Sequence, residues 1–524
     1  QWLALREAGV FVATSNGNSG NGDATTGAPA DLPWLTSVGA SSHNRSFLVT
    51  MTVSDSTNAS TSISGQAMTS GYGPAEIVFA SSVADTEDAR LCAPGAFAGG
   101  TFDGEIVICE RGTYGRVAKG QSVLSGGAGG YILAQAEEEN GGSGAVAADT
   151  HVLPAIHIDY SEYQRLRQFM LEDSIGTVTG VLSGASLDVD DVHGDIMASF
   201  SSRGPNRSDA DLIVPSVTAP GRAIWAAYHQ GDGGDGDYTY NLIQGTSMSS
   251  PHVAGAAALL SALRPDWTPA QMQSALMMTA RDSVLDDDAT TVATPFAQGS
   301  GHINALMAAK SPLIMNVNRA QYEAADPSIP NGFGVRDLNI PSLGDNECIG
   351  SCNWTRSVEN TSGETLSWTV SLDGPPGFTA SFDPSSFTLA PGELQTIEIE
   401  INVADDAADG DWHFGSVDLD ETSGNYPDAH WPFAVIPTSS NYPESLNIET
   451  MTTSGSVNLE GLVSRNISDF HTEVTGLKKA DRHVFTLVQD NNTGASFPDI
   501  FFDDPSTTRF VPITVPANSF SVIA

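Results

Sequence analysis

Gly245-Thr246-Ser247-Met248-Ser249-Ser250-Pro251-His252-Val253-Ala254-Gly255 is the stretch whose reading decides the fold. A polar loop, Tyr238-Thr239-Tyr240-Asn241, precedes it, and Ala256-Ala257-Ala258-Leu259-Leu260, a run of strong helix formers, follows. A serine therefore stands where a loop turns into an apolar helix. Gly245 permits a tight turn before it. Pro251 is expected within the first helical turn, where its missing N–H breaks no helical bond. The positive end of the helix dipole and its free N–H groups then lie beside the Ser247 hydroxyl, an arrangement able to hold an oxyanion. His252 is five residues on, a rotation of about 500°, so it points roughly 140° away from Ser247 and reads as structural.

Working outward, Gln1 to Ala8 reads as the end of a helix with Trp2, Leu5 and Ala8 on one face, closed by Gly9. Val10-Phe11-Val12-Ala13 reads as a short buried strand. Thr14-Ser15-Asn16-Gly17-Asn18-Ser19-Gly20 follows, locally an Asn-Gly turn.

The Ser247 stretch matches every fixed position of G-T-S-x-[SA]-x-P-x-[VA]-A-G. It resembles the serine signature of the subtilisin-like serine peptidases, the subtilases. The resemblance implies that Ser247 is the nucleophile of acyl transfer on a peptide bond. Thr14 to Gly20 resembles the family's Ala-Gly-Asn-x-Gly segment, which implies an oxyanion donor at Asn18 and a substrate-binding wall from the backbone of Ser15, Asn16 and Gly17. A nucleophilic serine needs a base and an orienting carboxylate. In this family they come earlier in the chain, the Asp in an Asp-[Ser/Thr]-Gly-like motif and the His in His-Gly-Thr-His. Neither string occurs here. The resemblance implies that both precede Gln1, so that the chain is a fragment or processed piece and its partner is an upstream fragment carrying them.

Composition bounds the rest. The 524 residues allow three or four domains. With 22 basic against 63 acidic residues the formal charge is −41, which repels nucleic acid and anionic membranes. A hydrophobic content of 40% favours packed domains over disorder. No apolar run is long enough to span a membrane. The cysteines form two local groups, Cys92 with Cys109 and Cys348 with Cys352, and the two local pairings are favoured among the three possible, as in an oxidising compartment. A zinc site at Cys348 and Cys352 is the rival, but no second ligand pair accompanies it.

Leu32 to Phe47 and Ile196 to Pro205 are also similar to subtilase strings, as are Val217-Thr218-Ala219-Pro220-Gly221 and Gln298 to Asn304. His43, at the polar exit of the first, reads as a surface residue rather than a catalytic one, and His302 in the last as a structural hydrogen-bonder. Between the first two strings lies a stretch with its own grammar. Gly104 to Cys109, Tyr131 to Ala134 and Leu153 to Ile158 read as strands, and Tyr114 to Leu124 as a helix. Ser161-Glu162-Tyr163-Gln164 reads as a capping box opening another. This small α/β unit resembles the protease-associated domain, with a gating or substrate-extending role. Gly231-Asp232-Gly233-Gly234-Asp235-Gly236-Asp237 can bind calcium, but its spacing is not an EF-hand and a flexible acidic loop is the favoured reading. Thr268-Pro269-Ala270-Gln271 reads as a capping box with Pro at N1. Beyond about Asn331, alternation at Leu366, Trp368, Val370 and Leu372, and at Ile397, Ile399, Ile401 and Val403, indicates half-buried antiparallel strands. Cys348 to Asn360 resembles a fibronectin type III-like domain.

The expected architecture is α/β: an N-terminally truncated, three-layer, subtilisin-like parallel-sheet domain over 1–46 and 191–315. An insertion at 47–190 contains the protease-associated domain. A fibronectin type III-like β-sandwich at 330–437 and a further β-domain at 438–524 follow. The expected function is secreted, extracellular serine endopeptidase chemistry on protein or peptide substrates. It requires no cofactor and no catalytic metal; structural calcium stays open but is not assignable to residues. A non-catalytic secreted binding protein on a remnant subtilase fold is the alternative.

Overall fold

Strand Thr36–Ser41 is buried along its whole length, between Ala13–Ser15 on one side and Val217–Pro220 on the other. Both neighbours run parallel to it, with Ser15 opposite Val38 and Val217 opposite the same Val38. Burial on both faces explains why Thr-Ser-Val-Gly-Ala-Ser lacks alternation. On one face helix Thr246–Leu263 lays Val253, Ala256, Ala257 and Leu260 against Val38, Val217 and Ala219, backed by helix Pro269–Met278. On the other, a Cβ on Gly39 would press on Pro215, Met197 and the carbonyl of Ala297 at 3.3–3.4 Å, a tight fit. The computed structural model describes residues 1–136, 146–229, 238–326, 333–407 and 410–441, and Val463. The acidic loop at 231–237 and nearly all of the expected domain at 438–524 lie outside the described residues, and 440–524 forms a unit separate from 1–439.

Several local expectations change on folding. The first helix, Trp2–Glu7, buries Arg6, whereas Trp2 and Leu5 are exposed. Arg6 donates to the carbonyl of Trp34 at 2.8 Å and to Gln273 at 2.7 Å, so a polar residue anchors a helix whose apolar spacing suggested the opposite face. Helix Tyr160–Gln168 is capped by Asp159, which accepts from the Glu162 N–H at 2.8 Å, so the cap lies two residues before the expected Ser161. The Thr268–Gln271 capping box with Pro269 at the first turn forms as expected.

Between Asn44 and Asp195 the chain leaves the sheet and builds a second body. Strands Tyr72–Phe79, Ile106–Glu110, Gly130–Ala134 and Ala155–Ile158 run parallel, with helix Arg116–Gly126 between the second and third. Antiparallel strands Ser60–Gln66, Arg45–Ser54 and Thr179–Leu182 close this sheet on itself, the last pairing with both Arg45–Ser54 and Tyr72–Phe79. The α/β unit read from the sequence is therefore one half of a closed barrel. Its core holds Met51, Ile63, Ile106, Ile132 and Ile156.

The C-terminal part is a sandwich of a four-stranded and a five-stranded sheet. Trp368, Val370, Ile397, Ile399 and Ile401 are buried, as their alternation required. Both local disulfides form, Cys92–Cys109 and Cys348–Cys352. The second joins strand Leu343–Ile349 of one sheet to Ser351–Asn360 of the other. Arg356 is fully buried and donates to the carbonyls of Ile340, Thr355, Arg336 and Ser342 at 2.7–3.0 Å. It thereby fixes the segment leading into the sandwich. Phe296 of the first body packs edge-on to Trp412 and Phe414, with centroids 4.8 and 5.1 Å apart.

The barrel carries a pH dependence. His151 is 7% exposed, stands edge-on to Tyr131, and has no partner at either nitrogen among the described residues. Burial holds its pKa down to about 4 against the opposing pull of Asp149. Burial also lowers that of His157. The unfolded chain, titrating near 6.5, binds protons that the folded barrel excludes. Stability is therefore complete above that pH and falls as pH drops toward 4. For His151 the loss is roughly 3 kcal/mol. Amide exchange at Ile132 and Ile156, corrected for intrinsic rates, should show protection falling between pH 7 and 4.5, with a flatter profile in His151→Leu. Equal protection at both pH values would show that neither imidazole is held neutral.

Candidate active site

The site begins at Gly245, where φ is +150° and the chain turns into helix Thr246–Leu263. The positive φ disfavours a side chain here, and a Cβ on Gly245 would touch Asn18 Nδ2 at 3.5 Å and the Ser247 nitrogen at 3.7 Å. These two donors therefore border the same small space, kept open by a glycine. Ser247 and Asn18 are both exposed. The Thr246 N–H is taken by Asn18 and the Met248 N–H by the Gly245 carbonyl. The helix dipole and the remaining Ser247 N–H make that space favourable for negative charge.

Asn18 is oriented by its neighbour in the serine turn. Its Oδ1 accepts from the Thr246 N–H at 2.9 Å and from the Thr246 hydroxyl at 2.9 Å. With the oxygen occupied twice, the amide nitrogen is the end left toward the Ser247 N–H. Thr246 Oγ1 also accepts from the Gly17 N–H at 3.3 Å. One hydroxyl thus clamps the two loops together.

The Ser15–Asn18 segment is held from beneath by Ser202. The Gly17 carbonyl accepts from the Ser202 N–H at 3.0 Å, and Ser202 Oγ accepts from the Ser19 N–H at 3.0 Å. Asn16 is buried and donates to the Ser202 carbonyl at 2.6 Å. Its side chain is structural, and Ser15 and Gly17 are half-buried. Asn16 N–H bonds Val38 O and Thr36 N–H bonds Val12 O, so alternate residues face the neighbouring strand. The backbone groups of Ala13 and Ser15 point to the open edge of the parallel sheet.

Two features of the helix were not foreseen. Pro251 lies inside the helix, as its sixth residue, so its missing N–H leaves the Ser247 carbonyl without its helical donor. Ser249 is buried and packed against Gly221, whose carbonyl accepts from the Gly245 N–H at 2.8 Å. The sequence signal for Thr246, Ser202 and Gly221 was their place inside the three family-like strings; which atoms they bind was not legible there.

No histidine hydrogen-bonds Ser247 among the described residues. His252 is exposed and its Nδ1 lies 2.7 Å from the Met248 carbonyl one turn back. His43 Nε2 lies 2.9 Å from the Ala223 carbonyl. His302 pairs with Asp195 at 2.6 Å and sits 3.4 Å from Ser41 Oγ. Burial pushes the Asp195 carboxyl up, but the bond from His302 and the charges of His302 and Arg281 outweigh it and hold it below the usual range. Asp345, Cys348 and Cys352 approach one another in the sandwich, but both cysteines are spent in the disulfide and do not form a zinc site.

The subtilase family profile matches residues 3–301, and a fibronectin type-III domain profile matches 337–435. Subtilisin-like protease SBT1.7 of Arabidopsis thaliana is 31% identical over 464 residues, covering 79% of this chain and 58% of that protein. Subtilisin-like protease SBT5.4 of the same plant is 30% identical over 428 residues, covering 75% and 54%. The chain thus spans little more than half the length of these curated relatives.

The packing of the serine turn is open to test. A Cβ on Gly221 would lie 2.1 Å from Ser249 Oγ and 2.9 Å from the Gly245 carbonyl. Gly221→Ala should cost about 1–3 kcal/mol in urea unfolding. Gly255, on the same helix as Ser247, has nothing within 4 Å of its Cβ position, and Gly255→Ala should instead gain up to about 1 kcal/mol. Equal stability of the two variants would contradict the close Gly221–Ser249 contact.

Proposed function

Because the chain belongs to the subtilase family, we propose that it is the nucleophile-bearing part of a serine endopeptidase acting on protein or peptide substrates. Ser247 Oγ attacks the scissile carbonyl carbon and passes its proton to a histidine. The carbonyl oxygen becomes an oxyanion, held by the Ser247 N–H and Asn18 Nδ2. The histidine returns the proton to the leaving amine, and water then hydrolyses the acyl-enzyme. No cofactor enters this sequence. The observation that carries the reading is the pair of hydrogen bonds that the Thr246 N–H and hydroxyl donate to Asn18 Oδ1, which turns the amide nitrogen toward the Ser247 N–H before any substrate arrives. Preorganised donors of this kind cost no rearrangement at the moment of reaction.

The histidine and its aspartate are assigned to an α/β segment outside these residues. What supports this is the open sheet edge at Ala13 and Ser15 and the exposure of Leu259 and Leu263, 61% and 64%, on the serine helix. An extended substrate would lie against Ser15, Asn16 and Gly17. The barrel between Arg45 and Val189 is read as a protease-associated domain that extends or gates substrate binding. Its support is its insertion between two strings of the catalytic body. The two disulfides favour a site of action outside the reducing cytosol.

Two outcomes follow. The 524-residue chain by itself should hydrolyse peptides at a rate about six decades below a complete subtilase, since loss of the base alone costs about that much. A high turnover abolished by Ser247→Ala would reveal a base within this chain. In the complete enzyme, Asn18→Ala should lower kcat about 10²- to 10³-fold with KM nearly unchanged, the magnitude known for loss of the corresponding donor in subtilisin. A raised KM with kcat intact would make Asn18 a binding or turn residue.

A further inference from the structure

In a chain with 63 acids and 22 bases, a cavity walled by cationic side chains and no carboxylate calls for a cause. Such a cavity lies where the inserted barrel leaves and rejoins the parallel-sheet body. It encloses about 130 Å³, the liquid volume of about four waters. Its lining includes Arg45, Arg222, His43 and His193, with Gln66 as a neutral donor, and no Asp or Glu among the described residues. The Ser42 hydroxyl, also in the lining, is spent on the His193 carbonyl at 2.6 Å.

The hydrogen bonds identify which of these groups is free. His43 Nδ1 accepts from the Arg45 N–H at 3.1 Å, so the ring carries its proton on Nε2, which donates to the Ala223 carbonyl at 2.9 Å. His43 is therefore a neutral strut. His193 Nε2 faces Asp188, at 3.1 Å, outside the lining. The guanidinium groups of Arg222 and Arg45 have no hydrogen bond or ion pair among the described residues. Arg45 is exposed, but Arg222 is half-buried, and burial alone lowers its pKa. A guanidinium withdrawn from water without a counter-charge is unfavourable. The backbone offers it no escape, because the Arg222 N–H and the Gly221 N–H both bond the Ser41 carbonyl, at 3.2 and 2.8 Å.

We propose that this cavity binds a small oxyanion (a sulfate, a phosphate or a peptide carboxylate) between Arg222 of the body and Arg45 of the barrel. Anionic oxygens are what a planar guanidinium fork receives best. The bound group would bridge the two bodies at the point where they are joined. It would also sit one residue from Gly221, whose carbonyl holds the turn that presents Ser247.

The test is equilibrium dialysis of the intact 524-residue chain with radiolabelled sulfate, at ionic strength fixed with sodium chloride. One sulfate per chain is expected. Arg222→Gln should weaken retention about ten- to one-hundred-fold, the worth of a charge-assisted hydrogen bond. Lys310→Gln, an exposed lysine outside the cavity lining, should leave it unchanged. Near-ultraviolet circular dichroism checks that Arg222→Gln is folded, and Arg45→Gln provides a second variant with an exposed side chain. A short N-acetylated peptide with one glutamate is added as competitor. Displacement of sulfate at lower concentration than unlabelled phosphate assigns the site to a peptide carboxylate, and the reverse assigns it to a free inorganic ion. Retention of neither anion by the wild type, or equal retention by both Arg variants and wild type, overturns the proposal.

Discussion

The candidate site depends on one side chain meeting another across most of the first body. Asn18 Oδ1 accepts twice from Thr246, over a sequence separation of 228 residues. An amide has two ends, and engaging the oxygen decides where the nitrogen points. Without that clamp Asn18 would be an exposed turn residue free to rotate, and the Ser247 N–H would face water alone. The same hydroxyl receives the Gly17 N–H, so the serine turn and the Asn loop are set by a single residue. Gly245 completes the arrangement by contributing no side chain where both donors face.

The clamp can hold because the parallel strands beneath it are fixed on both faces. Apolar residues of the serine helix press on Val38 and Val217, while Ser202 pins the Asn loop from its other end. The inserted barrel does not disturb this. Ser42 N–H bonds the Ile196 carbonyl at 2.7 Å and the Ile196 N–H returns to Ser42 Oγ, so the two ends meet across a sequence separation of 154. An insertion that begins and ends at adjacent points adds little strain to its host, and its cost is mainly loop closure. The cationic cavity lies at this same neck.

The sandwich is tied to the first body by hydrogen bonds and ring contacts. Arg356 gathers four carbonyls of the preceding segment and its own strand, and Phe296 seats against Trp412 and Phe414. His430 Nε2 lies 2.8 Å from the Ser300 carbonyl, beside the segment that closes the first body.

What the sequence by itself determined was local. The motif at Ser247 carried the family, and period-two alternation placed Trp368 and Ile399 inward. The short cysteine spacings, 17 and 4 residues, favoured the two local pairings that form, because short loops are the easiest to close. The capping box at Thr268 was legible for the same reason, since all its bonds lie within four residues. What only the tertiary structure decided depends on residues far apart. Arg6 became the buried residue of a helix whose Trp2 and Leu5 stay exposed, because its partners are Trp34 and Gln273. Pro251 fell inside the helix because Gly245, held by Gly221, set where the helix starts. The barrel closed because Thr179–Leu182 found two strands at once. The aim of the Asn18 amide was set by a threonine 228 residues away. Propensity and spacing act over one or two turns, whereas these choices were made by hydrogen bonds and packing that exist only once distant segments have met.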